Sequence, residues 1–151
     1  MNGMHCVAVL ISDADEASRQ MLKQGLLAAG DMHVVGLADS VDETIELARL
    51  LRPDVILLNT ALVHDDGAEA ASAELFAAGK ALLLSEAGAE ASTLQLLRRG
   101  ARGCVVKGER FLERLPDAIR AVYRGEAVLS PRLTGWMLDT LRNGLGPERI
   151  Y

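Results

Sequence analysis

Arg52-Pro53-Asp54-Val55-Ile56-Leu57-Leu58-Asn59-Thr60 is the stretch whose reading decides the fold. Pro53 disfavours helix in the residue before it, and Val55 to Leu58 is a short apolar run, β-branched at its start. Such a run reads as a strand buried on both faces, as in a parallel sheet. It ends abruptly at a polar side chain, Asn59. In an open α/β sheet, residues leaving the carboxyl ends of strands line the crevice where ligands bind. Asn59 stands where chemistry is expected, yet its carboxamide carries no charge and is not a useful nucleophile.

Outward from this strand the same unit repeats. Val7 to Ile11 is an apolar run followed by the acidic turn Ser12-Asp13-Ala14-Asp15-Glu16, then Ala17, Met21, Leu22 and Leu26 at helical spacing, closed by Gly30. His33 to Ala38 is a second strand, and Ser40-Val41-Asp42-Glu43 has the form of a capping box opening a helix with Ile45, Leu47, Ala48 and Leu51. After Asn59, Asp65-Asp66-Gly67 reads as a turn and Ala68 to Ala78 as an Ala-rich helix ending at Gly79. Ala81 to Leu84, ending in Ser85, is a fourth strand, and Ala91 to Arg99 a short helix stopped by Gly100. Gly103 to Val106, ending in Lys107-Gly108, is the fifth strand, and a helix is predicted from Pro116 to Arg124, with proline in its first turn and Gly125 at its end. Ser130-Pro131 opens a further helix with Leu133, Trp136, Met137, Thr140 and Leu141 along one side, broken by Gly144, Gly146 and Pro147.

Strand and helix alternating five times, each strand wholly apolar, predict an α/β fold: a doubly wound parallel sheet with right-handed crossovers. The flavodoxin-like order 2-1-3-4-5 is the natural small solution, with an extra C-terminal helix. The expected organisation is one domain over residues 1–128, followed by the helix and the start of a linker over 129–151.

Composition narrows the function. Net charge is −5 and the pI about 5.2, with Lys and Arg scattered and no basic tract, which argues against this chain binding nucleic acid by itself. The densest basic group, Arg98-Arg99-Arg102, reads as a solvated helix end. Cys6 and Cys104 fit no metal spacing and make no CxxC motif, so both are expected as buried free thiols in a reducing cytoplasm. No stretch reaches the length of a membrane helix, and no signal peptide is read at the N-terminus. The turn after the first strand is acidic and lacks glycine, so it would repel a phosphate rather than cradle one. His5, His33 and His64 match no triad or metal spacing, and no enzymatic activity is expected.

Parallel strands place their carboxyl ends on one edge, where Asp13, Asn59, Ser85 and Lys107 follow the first, third, fourth and fifth strands. The order 2-1-3-4-5 makes the first and third strands neighbours, so Asp13 and Asn59 should converge. With these residues in view, the chain resembles a receiver domain of two-component response regulators of the LuxR/FixJ type, over residues 5 to 142. Carrying the resemblance are Val9-Leu10-Ile11-Ser12-Asp13, the segment from Leu50 to Asn59, Gly67, and Gly100-Ala101-Arg102-Gly103-Cys104-Val105-Val106-Lys107. The segment from Ala118 to Pro131 is similar to the end of that receiver and its exit helix.

The resemblance implies a phosphoacceptor aspartate at the end of the third strand, and this position holds Asn59. It implies an acidic pair for Mg²⁺ after the first strand: Asp13 is present, Ala14 replaces the direct ligand, and Asp15 lies one step too far unless the turn shifts. Ser85 and Lys107 match the switch hydroxyl and its lysine, Cys104 stands at the switch aromatic, and Val63 replaces a proline. Phosphoryl transfer needs a nucleophile and cations to neutralise the equatorial oxygens, and Mg²⁺ needs hard anionic oxygens. The expectation is a pseudo-receiver not run by phosphorylation, with weak or absent Mg²⁺ binding and no other cofactor.

A Lys107–Asp13 contact is expected to fix one conformation. Action would come through homodimerisation by the last two helices (Tyr123, Leu133, Trp136 or Met137) or through contact with a sensor kinase or another protein. DNA would be reached only through a C-terminal helix-turn-helix domain, which does not follow here; Leu145-Gly146-Pro147-Glu148-Arg149 faintly resembles its start. The alternative is a small-molecule sensor using the emptied pocket near Asp13, Asn59 and Ser85.

Overall fold

Each apolar run supplies two hydrophobic faces, because side chains alternate across a strand. In the computed structural model, which describes residues 6–64 and 69–144, the runs form β1 (Val7–Ser12), β2 (Met32–Ala38), β3 (Val55–Asn59), β4 (Ala81–Ser85) and β5 (Gly103–Val106). All pair in parallel, in the order β2-β1-β3-β4-β5 expected from the sequence. Val55 and Leu57 enter a core shared with α1 (Glu16–Leu27) and α6 (Phe111–Tyr123), through Leu22, Leu26, Leu115, Ile119 and Val122. Ile56 and Leu58 enter the opposite core. That layer holds Ile45 of α2 (Val41–Leu51), Leu62 of α3 (Thr60–His64), Leu75 of α4 (Glu69–Ala78) and Leu96 of α5 (Glu90–Arg98). Leu133 of α7 (Pro131–Gly144) also joins it.

Polar residues set the ends of these elements. Ser40 Oγ accepts from the Glu43 N–H at 3.1 Å, while the Glu43 carboxylate accepts from the Asp39 N–H at 2.8 Å, one residue earlier than the reciprocal bond of an ideal capping box. Pro53 halts α2, and Arg52 turns left-handed at φ 48° with its N–H on the Ala48 carbonyl. Asp54 then locks β3 to β1: its carboxylate accepts from the Ala8 N–H at 2.8 Å, and its N–H donates to the Ala8 carbonyl at 2.8 Å. At the opposite edge of the sheet's other face, the Arg120 guanidinium grips Asp31 through two bonds of 2.7 and 2.9 Å, tying α6 to the start of β2.

Several expectations are corrected. The last core helix begins at Phe111 rather than Pro116. A proline in a helix interior costs about 3 kcal/mol and leaves a carbonyl without its partner, but Leu115, Ala118, Ile119 and Val122 form one buried stripe, with Phe111 and Leu112 packed beside it. Continuous burial outweighs the interruption. Cys6 is exposed, because the ladder starts at Val7; Cys104 is buried. Leu133 is 1% exposed and belongs to the core, so it is not available to a partner, while Trp136 is 42% exposed on the same helix. The short helix α3 was not anticipated. The Asp65-Asp66-Gly67 turn, His5 and the stretch from Leu145 to Tyr151 lie outside the described residues. Among the described residues no helix is long and apolar enough to cross a membrane.

Candidate functional site

The site begins with Asp13, carried past the end of β1. Its N–H donates to the Ala38 carbonyl at 3.0 Å, and its own carbonyl accepts from the Arg19 guanidinium at 2.7 Å, so the backbone is held on both sides. Behind it, Ser12 is buried with its Oγ 2.9 Å from Thr44 Oγ1, which seats the end of β1 on α2. The Asp13 carboxylate is 3% exposed and accepts three hydrogen bonds. The donors are the Asp15 N–H at 2.9 Å, Ser18 Oγ at 2.7 Å and Asn59 Nδ2 at 3.0 Å. Burial pushes this carboxyl up, but the bonds from Ser18, Asp15 and Asn59, with the more distant charge of Lys107, outweigh it and hold the group below its ordinary range.

Asn59 closes the arrangement from β3. Its Nδ2 donates to Asp13, and its Oδ1 accepts from the Ala61 N–H at 3.0 Å, which makes it the cap of α3. A carboxylate on one side and an N–H on the other allow the amide only this orientation. A carboxylate at this position would face Asp13 with no proton or cation between them.

The convergence of Asp13 and Asn59 predicted from strand order is present. The wider gathering is not. Side-chain alternation sends Asn59 to the side of Val55 and Leu57, while Ser85 follows Ala81 and Leu83 to the opposite side. Ser85 Oγ lies 3.1 Å from Cys104 Sγ, and both residues are buried. Burial raises the Cys104 thiol above its ordinary range, with the Ser85 contacts opposing in part. The expected Lys107–Asp13 contact is also corrected: Lys107 Nζ pairs with the Glu86 carboxylate at 3.8 Å and reaches Asp13 only through its field. Asp15 is turned away from the site, because its carboxylate caps α1 by accepting from the Ser18 N–H at 2.9 Å.

Two participants were missed in the sequence. Ser18 had a readable signal, since an aspartate three residues before a serine at a helix start is a capping pattern that places the serine in the first turn. Glu86 had none, because only the pairing of β4 with β5 brings it to Lys107.

A doubly wound parallel sheet with a buried carboxylate and a polar strand end at the switch between β1 and β3 defines the class of small α/β signalling domains. Within that class, the chain belongs to the response regulator receiver domain family, whose profile matches residues 9–120. It is 32% identical over 144 residues to the nitrate/nitrite response regulator protein NarL of Escherichia coli K12, covering 94% of this chain and 66% of that one. It is 31% identical over 139 residues to the transcriptional regulatory protein LiaR of Bacillus subtilis, covering 91% and 65%. The chain therefore spans just under two thirds of the length of these relatives. Among solved structures, the response regulator domain of Thermotoga maritima CheB superposes with a TM-score of 0.69 at 28% identity, covering 80% of this chain and 98% of that domain.

Proposed function

We propose that this chain is the receiver of a transcriptional response regulator that signals without phosphorylation. One observation carries the reading: Asn59 donates to the Asp13 carboxylate at 3.0 Å while capping α3. In the family reading this position is the phosphoacceptor. An amide there supplies no nucleophile, and it sets a neutral donor against the very carboxylate that a bound cation would otherwise neutralise. The resting arrangement is self-satisfied.

The donors present do not fit Mg²⁺. Asp13 is a single carboxylate already occupied by three hydrogen bonds, Ala14 offers no ligand, and Asp15 is engaged as a helix cap. Among the described residues no cluster of three His, Cys, Asp or Glu side chains is placed to hold a metal ion. Ser85 and Lys107 belong to this reading as the remnant switch pair, now tied to Cys104 and Glu86. Output would run through homodimers or other protein contacts, for which α7 offers Trp136, Leu138 and Leu141 at 42%, 52% and 52% exposure. Recognition of DNA would belong to a C-terminal segment of the kind that makes the relatives longer.

The decisive experiment is incubation with acetyl phosphate and Mg²⁺ followed by intact-mass measurement. The wild type should gain no phosphoryl group, and the Asn59→Asp, Ala14→Asp double variant should gain one. A phosphoryl group on the wild type would overturn the reading.

A further inference from the structure

The edge of β5 that faces away from β4 is covered by the segment leaving α6. The Cys104 N–H donates to the Val128 carbonyl at 2.7 Å, and Gly103 forms a parallel bridge with Val128. This approach requires glycine: a Cβ on residue 103 would stand 2.7 Å from the Val128 carbonyl oxygen and 2.9 Å from its nitrogen. Any side chain there displaces the segment, since both atoms are backbone.

Both ends of this contact are anchored. On the sheet side, Cys104 Sγ meets Ser85 Oγ at 3.1 Å, and the Ser85 carbonyl accepts from the Lys107 N–H at 2.7 Å. On the exit side, two residues beyond Val128, Ser130 Oγ accepts from the Leu133 N–H at 3.1 Å and caps α7. Leu133 then sits in the core, and Arg132 pairs with the largely buried Glu90 carboxylate of α5 at 2.7 Å. Earlier in the segment, Arg102 donates to the Gly125 carbonyl at 3.3 Å and Lys80 to the Tyr123 carbonyl at 3.1 Å, which holds the end of α6 in place.

We propose that residues 126–130 form a strap, laid on β5 as a rudimentary sixth strand, that passes the state of Ser85 to α7 through Cys104 and Val128. Ser85 positions the Cys104 side chain, the Cys104 backbone holds Val128, and Val128 sets where the Ser130 cap begins α7. Because the link is a strand pairing, a change at β5 moves the root of α7 as a unit. This goes beyond the reading of the Asn59 site and does not depend on it: whatever perturbs Ser85, with or without phosphate, has a route to the exit helix.

Trp136 is the only tryptophan and lies on α7, so it reports the strap directly. Gly103→Val should red-shift Trp136 emission and speed hydrogen exchange at the Cys104 amide by on the order of tenfold, the worth of one lost backbone hydrogen bond. Far-UV circular dichroism should stay that of the wild type. Ser85→Ala, which leaves the backbone pairing chemically intact, should also speed Cys104 exchange and shift Trp136 emission in the same direction by a smaller amount. If Ser85→Ala leaves both readouts at wild-type values, Ser85 is not coupled to α7 and the proposal fails. If Gly103→Val folds with Trp136 unmoved, the strap does not set α7 and the proposal likewise fails. Should Gly103→Val not fold, Ser85→Ala decides the matter alone.

Discussion

Replacing Asn59 by aspartate tests the physics of the site most directly. In the wild type, Asn59 Nδ2 stands 3.0 Å from Asp13 Oδ2. Asn59→Asp removes that donor and puts a carboxylate in its place. Two unit charges about 3 Å apart repel by roughly 5 kcal/mol at an effective dielectric of about 20, and the half-buried position of Asn59 together with side-chain relaxation reduces this to about 2–3 kcal/mol. A loss of that size lowers the melting temperature of a domain this long by about 5–10 °C.

The pH dependence carries the sign. In the wild type, the Asp13 carboxyl is held below its ordinary range, so its contribution is complete above the unfolded value and is lost as pH falls through the lowered one. In Asn59→Asp, two neighbouring carboxylates share a site, and one proton of the pair is held more tightly than in the unfolded chain. The variant is therefore least impaired below about pH 4, and its deficit grows as pH rises through the raised pKa of the pair. Urea melts of both proteins from pH 4 to pH 8, without divalent cations, measure this. A variant as stable as the wild type at pH 8, or a deficit that does not change with pH, refutes the argument that the amide stands in for a positive charge.

Other outcomes follow from single contacts. Thr93 Oγ1 is buried without a hydrogen-bond partner, so Thr93→Val, which keeps the shape and removes the orphan hydroxyl, should stabilise by about 1 kcal/mol in urea melts. Asp54→Ala removes the carboxylate that accepts from the Ala8 N–H and should destabilise by about 1.5–3 kcal/mol, a loss that calorimetry will show. Asp31→Ala breaks the paired bonds from Arg120, whose side chain is 31% exposed, and should cost about 1 kcal/mol. The Arg120 guanidinium holds the Asp31 carboxyl low, so this cost should be complete above the ordinary aspartate range and vanish as pH falls through the lowered pKa. Thiol titration of the native protein should find Cys6 reactive and Cys104 silent, with Cys104 appearing only on unfolding, because it is buried and its thiol is raised.

How much of this was legible depended on the range of the interaction. The strands were readable because each is a continuous apolar run, and their order followed from the alternation with helices. Asp13 and Asn59 met as predicted because strand neighbourhood alone brings them together. Ser85 and Lys107 did not join them. Strand order puts a residue on an edge, whereas the phase of the strand chooses the side, and Ser85 shares its phase with Leu83 rather than with Leu84. Pro116 misled for a related reason: proline chemistry is local, and the stripe from Leu115 to Val122 is paired with residues of the sheet that lie far away in sequence. The short helix α3 is the reverse case, since an asparagine cap had been quoted but was read only as a strand end.

On the proposed reading, the three departures at this edge are one adjustment rather than three losses. With a carboxylate at position 59, the site would need a cation, and a cation would need the second acid that Ala14 does not provide. The amide removes that need, because Asp13 then has three donors and no uncompensated oxygen. Once no charge arrives at Asn59, nothing calls the Ser85 hydroxyl toward it, and a small thiol at position 104 can hold that hydroxyl inside the sheet. An aromatic side chain could not occupy the same buried space, where Cys104 is 1% exposed among Leu83, Leu133 and their neighbours. Cys104→Tyr should therefore force either the ring outward or Leu133 out of the core, and in both cases Trp136 emission should shift. An unchanged spectrum in a folded Cys104→Tyr protein would mean that Cys104 and α7 are packed independently, and that the departures at positions 59 and 104 have no common cause.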